Sequence, residues 1–83
     1  MKIDSSTTLQ DLFEISKNTI SDLKTNEVFI VKELFRGFEW NRISESSRVQ
    51  LGSKFFNYAN NDGNSHMEVL DKTLKNQQKY KKL

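Results

Sequence analysis

The tract NNDGN, residues 60 to 64, constrains the fold more than any other part of this sequence. Asn, Asp and Gly tolerate left-handed backbone conformations, so five such residues in a row demand a turn. The pattern changes across it. Ahead of the tract, Leu51, Phe55, Tyr58 and Ala59 recur at helical spacing, with Phe56 beside them. Ser44 is a good N-cap for that helix, which is expected to run from about Glu45 to Asn60. Behind the tract, HMEVLDKT reads as extended chain, and QKYKKL is its expected hairpin partner across LKNQ. A helix delivered by a tight turn into a hairpin points to an α+β domain.

The first half supplies the remaining elements. Leu9, Leu12, Phe13, Ser16, Ile20 and Leu23 form a helical stripe. Thr7 and Gln10 have the spacing of a capping box at its start, and Asn26 is its expected end. In EVFIVKELF the β-branched and aromatic run Val28 to Val31 suits a short strand. KELF then reads as one or two helical turns stopped by Gly37 as a C-terminal cap. The resulting order is helix, strand, short helix, turn, longer helix, strand, strand, which is the order of a winged helix-turn-helix. One domain is expected over residues 1–83, with residues 74–83 either a wing strand or a flexible basic tail.

Composition narrows the classes of function. Without cysteine there is neither a disulfide nor a thiolate metal site, and a single His leaves an imidazole site without partners. His66, the lone imidazole, is expected at the surface. Gly37, Gly52 and Gly63 form no phosphate-cradling loop, and no nucleophile motif is present. A non-catalytic protein without cofactor is expected. The opening MKIDSSTTLQ lacks the apolar stretch of a signal peptide, and no apolar run is long enough to span a bilayer, so a cytoplasmic protein is expected.

Charge is unevenly placed. The first 70 residues carry eight basic and ten acidic groups, whereas residues 71–83 carry five lysines against Asp71. A weakly acidic body therefore ends in a basic strip. Lysines around an aromatic ring are what a single strand requires, cations for phosphates and a ring face for bases. Lys72, Lys75, Lys79, Lys81 and Lys82 supply the first and Tyr80 the second, with Asn76, Gln77 and Gln78 as further donors. In a strand, Lys79 and Lys81 would share one face, and Tyr80 and Lys82 the other. The alternative is a solvated strip that only aids solubility.

The only Trp lies in LFRGFEWNRISESSR, residues 34 to 48, among all three arginines. Phe35, Phe38, Trp40 and Ile43 are expected to anchor the turn or wall an apolar pocket, because large aromatics in small domains are usually inside. The other reading makes Trp40 a stacking platform beside Arg42. Arg36, Arg42 and Arg48 are the expected cations of this region. On the following helix Ser46, Ser47, Gln50, Ser53, Lys54 and Asn57 should face outward, and only Lys54 adds charge. A helix that reads duplex DNA usually brings more base-reading groups.

Two segments, VKELFRGFEWNRISESSRVQLGSKFFNYANN and LDKTLKNQQKYKKL, resemble a short domain family from mobile genetic elements and phages of Gram-positive bacteria. The shared features are an LF.GYEWNRI core, an R..LG..F..Y helix and a KT..NQQ.Y.K end. The resemblance covers about residues 28 to 83, and Phe38 stands where that family has Tyr. It implies a winged helix-turn-helix and binding of single-stranded DNA in replication or transfer of a mobile element. A second departure is that the chain stops at Leu83 directly after the basic motif, so no longer tail is expected. Two other readings stay open: a module that takes a peptide from a replication protein, and a duplex-binding regulator.

Overall fold

The structure, a computed structural model, describes residues 3, 4 and 6–83. Met1, Lys2 and Ser5, part of the opening read above for a signal peptide, lie outside the described residues. Among the described residues, three α-helices, a 3₁₀ turn and a three-stranded antiparallel sheet make a small α+β domain.

Helix α1 spans Leu9–Ile20 and buries Leu12, Phe13, Ser16 and Ile20. Ser16 is tolerated at full burial because its hydroxyl donates to the Phe13 carbonyl at 2.7 Å. The expected capping box does not form. Thr8 is the N-cap and accepts from the Asp11 amide at 3.1 Å, while Thr7 accepts from the Asp4 amide at 3.0 Å. Nor does Asn26 end the helix, which stops at Ile20. Asn26 adopts φ 76° and donates to the Lys82 carbonyl at 2.7 Å, steering the chain into the sheet.

Strand β1 is only Val28–Phe29, and the 3₁₀ turn Val31–Leu34 follows it. Gly37 is not a C-terminal cap. It opens a four-residue helix, α2 (Gly37–Trp40), because Phe35 and Arg36 are extended and separate the two turns. Helix α3 spans Glu45–Asn60, as the sequence suggests, with Ser44 accepting from the Ser47 amide at 3.3 Å. Leu51, Phe55 and Ala59 face the core, whereas Phe56 is 40% exposed.

Strands β2 (Met67–Lys72) and β3 (Gln78–Lys82) form the expected hairpin, and the sheet order is β1-β3-β2. The basic strip is therefore the central strand. Phe29 pairs with Tyr80, and Tyr80 with Val69. One extra residue on β2 between Val69 and Lys72 makes a bulge, braced by the Gln78 side-chain amide donating to the Leu70 carbonyl.

Tyr80 corrects the sequence reading. Only 1% of it is exposed, so it presents no stacking face for a base. Its ring stacks on Phe29 at 5.6 Å and meets Phe55 edge-on at 5.1 Å. In QKYKK alternation must turn one face inward, and Tyr80 is the only residue there with apolar area to bury.

Candidate nucleic-acid interface

Helix α3 carries a second stripe beside its core face: Glu45, Arg48, Val49, Gly52, Ser53 and Phe56, spaced i, i+3, i+4, i+7, i+8 and i+11. Across from it stands the hairpin, with Lys72, Lys75, Asn76, Gln77 and Gln78. Ile30, Val31, Lys32 and Trp40 join the two sides, and together they enclose a groove of about 990 Å³. Gly52 keeps its middle open, since a Cβ there would meet nothing within 4 Å.

The groove combines two chemistries. Lys32, Arg48, Lys72 and Lys75 stand against Glu45 alone, giving an excess of positive charge. Between them Val49 is 65% exposed and Phe56 40%, so apolar area faces solvent along the helix. Cations beside an open aromatic surface suit a polyanion with flat apolar groups.

Arg48 is held in place from two directions. Its guanidinium carbon is 5.3 Å from the centre of the Trp40 ring, and its Nη2 donates to the Trp40 carbonyl at 3.0 Å. Its Nε is buried and meets no partner among the described residues. Trp40 is half-buried and packs on Phe35 at 5.6 Å, so the indole acts as wall and support for the cation. Phe35 is half-buried and Ile43 buried, as anchors.

Phe38 corrects the reading of it as an anchor, because it is 53% exposed. In so short a helix as α2, residues two apart point to opposite sides, and Trp40 takes the inner one. Arg36 and Arg42 hold their guanidinium carbons 5.0 and 5.1 Å from the Phe38 ring centre. Buried Glu39 fixes this corner. It accepts from Arg36 Nε at 2.5 Å and from the Ile3 amide at 3.2 Å, and Arg42 Nη1 donates to the Ile3 carbonyl at 2.9 Å. The bond from Arg36 holds the Glu39 carboxyl below its ordinary pKa, with the Ile3 amide acting in the same sense.

The other expected contacts do not converge on the groove. Lys54 lies 4.9 Å from the Phe13 ring, beside Lys17, on the flank where α1 meets α3. Lys79 and Lys81 flank inward-facing Tyr80 and so face the other side of the sheet, with Lys81 3.8 Å from Glu68. Lys82 is half-buried at the sheet end, paired with Met67. Sequence reasoning missed Lys32, Val49 and the outward turn of Phe56. The signal was the small pair Gly52 and Ser53 centred between Val49 and Phe56 at helical spacing.

Among the described residues no group of three or more His, Asp or Glu is placed to hold a metal ion. No helix among them is long and apolar enough to cross a membrane. Fold and groove thus define a small α+β domain with a basic, partly apolar cleft. The chain belongs to the family described as a domain of unknown function (DUF1413), whose model matches residues 14–82. No curated protein and no solved structure matches it.

Proposed function

We propose that this chain binds single-stranded DNA with little sequence preference, in the groove between α3 and the β2–β3 hairpin. The observation that carries the reading is the joining of Arg48, Lys72 and Lys75 with the exposed faces of Val49 and Phe56 in one cleft. The cations neutralise phosphates, and the apolar stripe receives unstacked bases. Asn76 and Gln77 donate from the facing wall without committing to one base, while the Gln78 amide is spent on the Leu70 and Lys79 carbonyls.

The element order and the placing of β1 on β3 favour a winged helix-turn-helix arrangement, with α3 as the third helix and the hairpin as wing. A duplex is the poorer ligand. Helix α3 offers Val49, Gly52, Ser53 and Phe56 where a major-groove reader would present Arg, Lys, Asn or Gln.

Anisotropy of a labelled oligothymidine, with the matching duplex and polyglutamate as competitors, tests the reading at low and moderate salt. Binding to the single strand that weakens as salt rises is expected, through counterion release. Displacement by the duplex at tenfold lower concentration would make the protein a duplex binder. Equal displacement by polyglutamate would assign the groove to acidic peptides.

A further inference from the structure

The corner formed by Arg36, Phe38 and Arg42 has the parts of a nucleotide contact, and it lies outside the groove. A phenyl ring 53% exposed has a guanidinium carbon about 5 Å from its centre on each of two arginines. Neither cation is left to wander. Arg36 is tied through Nε to buried Glu39, and Arg42 through Nη1 to the Ile3 carbonyl. Each retains other N–H groups that these bonds do not use.

Such a corner has no structural need for an exposed ring. Glu39 and Ile3 already join α2 to the N-terminal segment, and Phe38 leaves more than half of its surface to solvent. Its neighbours are cationic, which favours an anionic ligand over an apolar one. Guanidinium planes and aromatic rings both accept unstacked bases, and guanidinium N–H groups pair with phosphate oxygens. Trp40, two residues on, walls the groove, so α2 presents one side to the groove and the other to this corner.

We infer that a single strand leaving the groove passes over α2 and makes a second contact at Arg36, Phe38 and Arg42. The inference rests on the groove reading and adds a length requirement to it. A strand that fills only the groove gains nothing from the corner, whereas a longer one does.

The test compares oligothymidines of about four and about twelve nucleotides, within the range of site sizes of small single-strand-binding folds. The proteins are wild type, Phe38→Ala and Phe38→Glu. An exposed Phe can be replaced without loss of core packing, and thermal unfolding confirms that the variants are folded. Wild type should bind the longer strand more tightly. Phe38→Ala should lose about fivefold or more on the longer strand and less than twofold on the shorter, and Phe38→Glu should lose more, by repulsion. Unchanged binding of the longer strand by both variants overturns the inference and leaves the groove reading intact. Equal losses on both lengths also overturn it, placing Phe38 within the primary site. Failure of wild type to bind either strand removes the groove reading and the inference together.

Discussion

Arg48 and Trp40 form one unit: the guanidinium carbon stands 5.3 Å from the ring centre, and Nη2 donates to the indole residue's own carbonyl at 3.0 Å. A surface arginine normally loses side-chain entropy when it grips a phosphate. Here most of that ordering is done by the fold.

Arg48→Ala should therefore weaken binding of oligothymidine by about tenfold or more, as expected for a charged hydrogen bond worth roughly 1.5–3 kcal/mol. The slope of log affinity against log salt should become shallower by about 0.7, one phosphate's worth for a single strand. Arg48→Lys should retain the slope and lose part of the affinity, since an ammonium cannot lie flat on the indole. A salt series by anisotropy measures both. An unchanged slope in Arg48→Ala would remove Arg48 from the phosphate path.

Gly52→Leu separates binding from stability. The added side chain enters open space in the middle of the groove, and replacing Gly inside a helix favours folding by roughly 0.5–1 kcal/mol. The melting temperature should hold or rise while single-strand binding falls steeply. Retained affinity would mean that the ligand does not lie in the groove.

Tyr80→Ala should cost about 3–5 kcal/mol of stability, as for other large aromatics removed from a core. Burial also pushes the Tyr80 phenol up to about 12 from an ordinary value of 10.0. A group raised in the folded state keeps its full contribution below the unfolded value and loses it as pH rises through the folded one. Stability should thus fall between about pH 10 and 12, and Tyr80→Phe should be spared that part of the fall. Chemical denaturation across this range is the measurement, and identical alkaline profiles would refute the assignment.

Glu39 works in the opposite direction. Its carboxyl is held below the ordinary value of 4.5, first by the bond from Arg36. A depressed acid contributes stability above its unfolded value and loses it as pH falls through its folded value. Acidification below about 4.5 should weaken the wild type more than Glu39→Gln, which has no carboxylate to protonate. Urea midpoints at neutral and acidic pH decide this; equal acid sensitivity would show that Glu39 is not the group concerned.

How far the sequence could be read depended on which residues carried local information. Ser44 and the NNDGN turn bounded α3 because a cap and a turn are set by a few adjacent residues. Tyr80 was misread because four charged or polar neighbours suggested a surface, although alternation required one face of β3 to be buried. Phe38 was misread for the reverse reason. It is apolar, but the two-residue step to Trp40 in α2 left only one of them an inward direction. Gly37 looked like a stop signal, and extended Phe35 and Arg36 had already ended the preceding turn. The groove itself was hidden because its walls, among them Phe56 and Gln77, come to face one another only once β3 has entered the sheet.

That position of β3 has a consequence for how the molecule comes apart. Strand β1 has no partner except β3, and Phe29 must wait for Tyr80, far along the sequence, before it can pair. Closing so long a loop is costly and is recovered only when the core forms with it. Loss of the last strand would strand β1, open the hairpin and dissolve the cleft in one step. Ligand occupancy and global unfolding should then be governed by a single equilibrium, so a bound strand would slow amide exchange throughout the sheet and not only along the cleft.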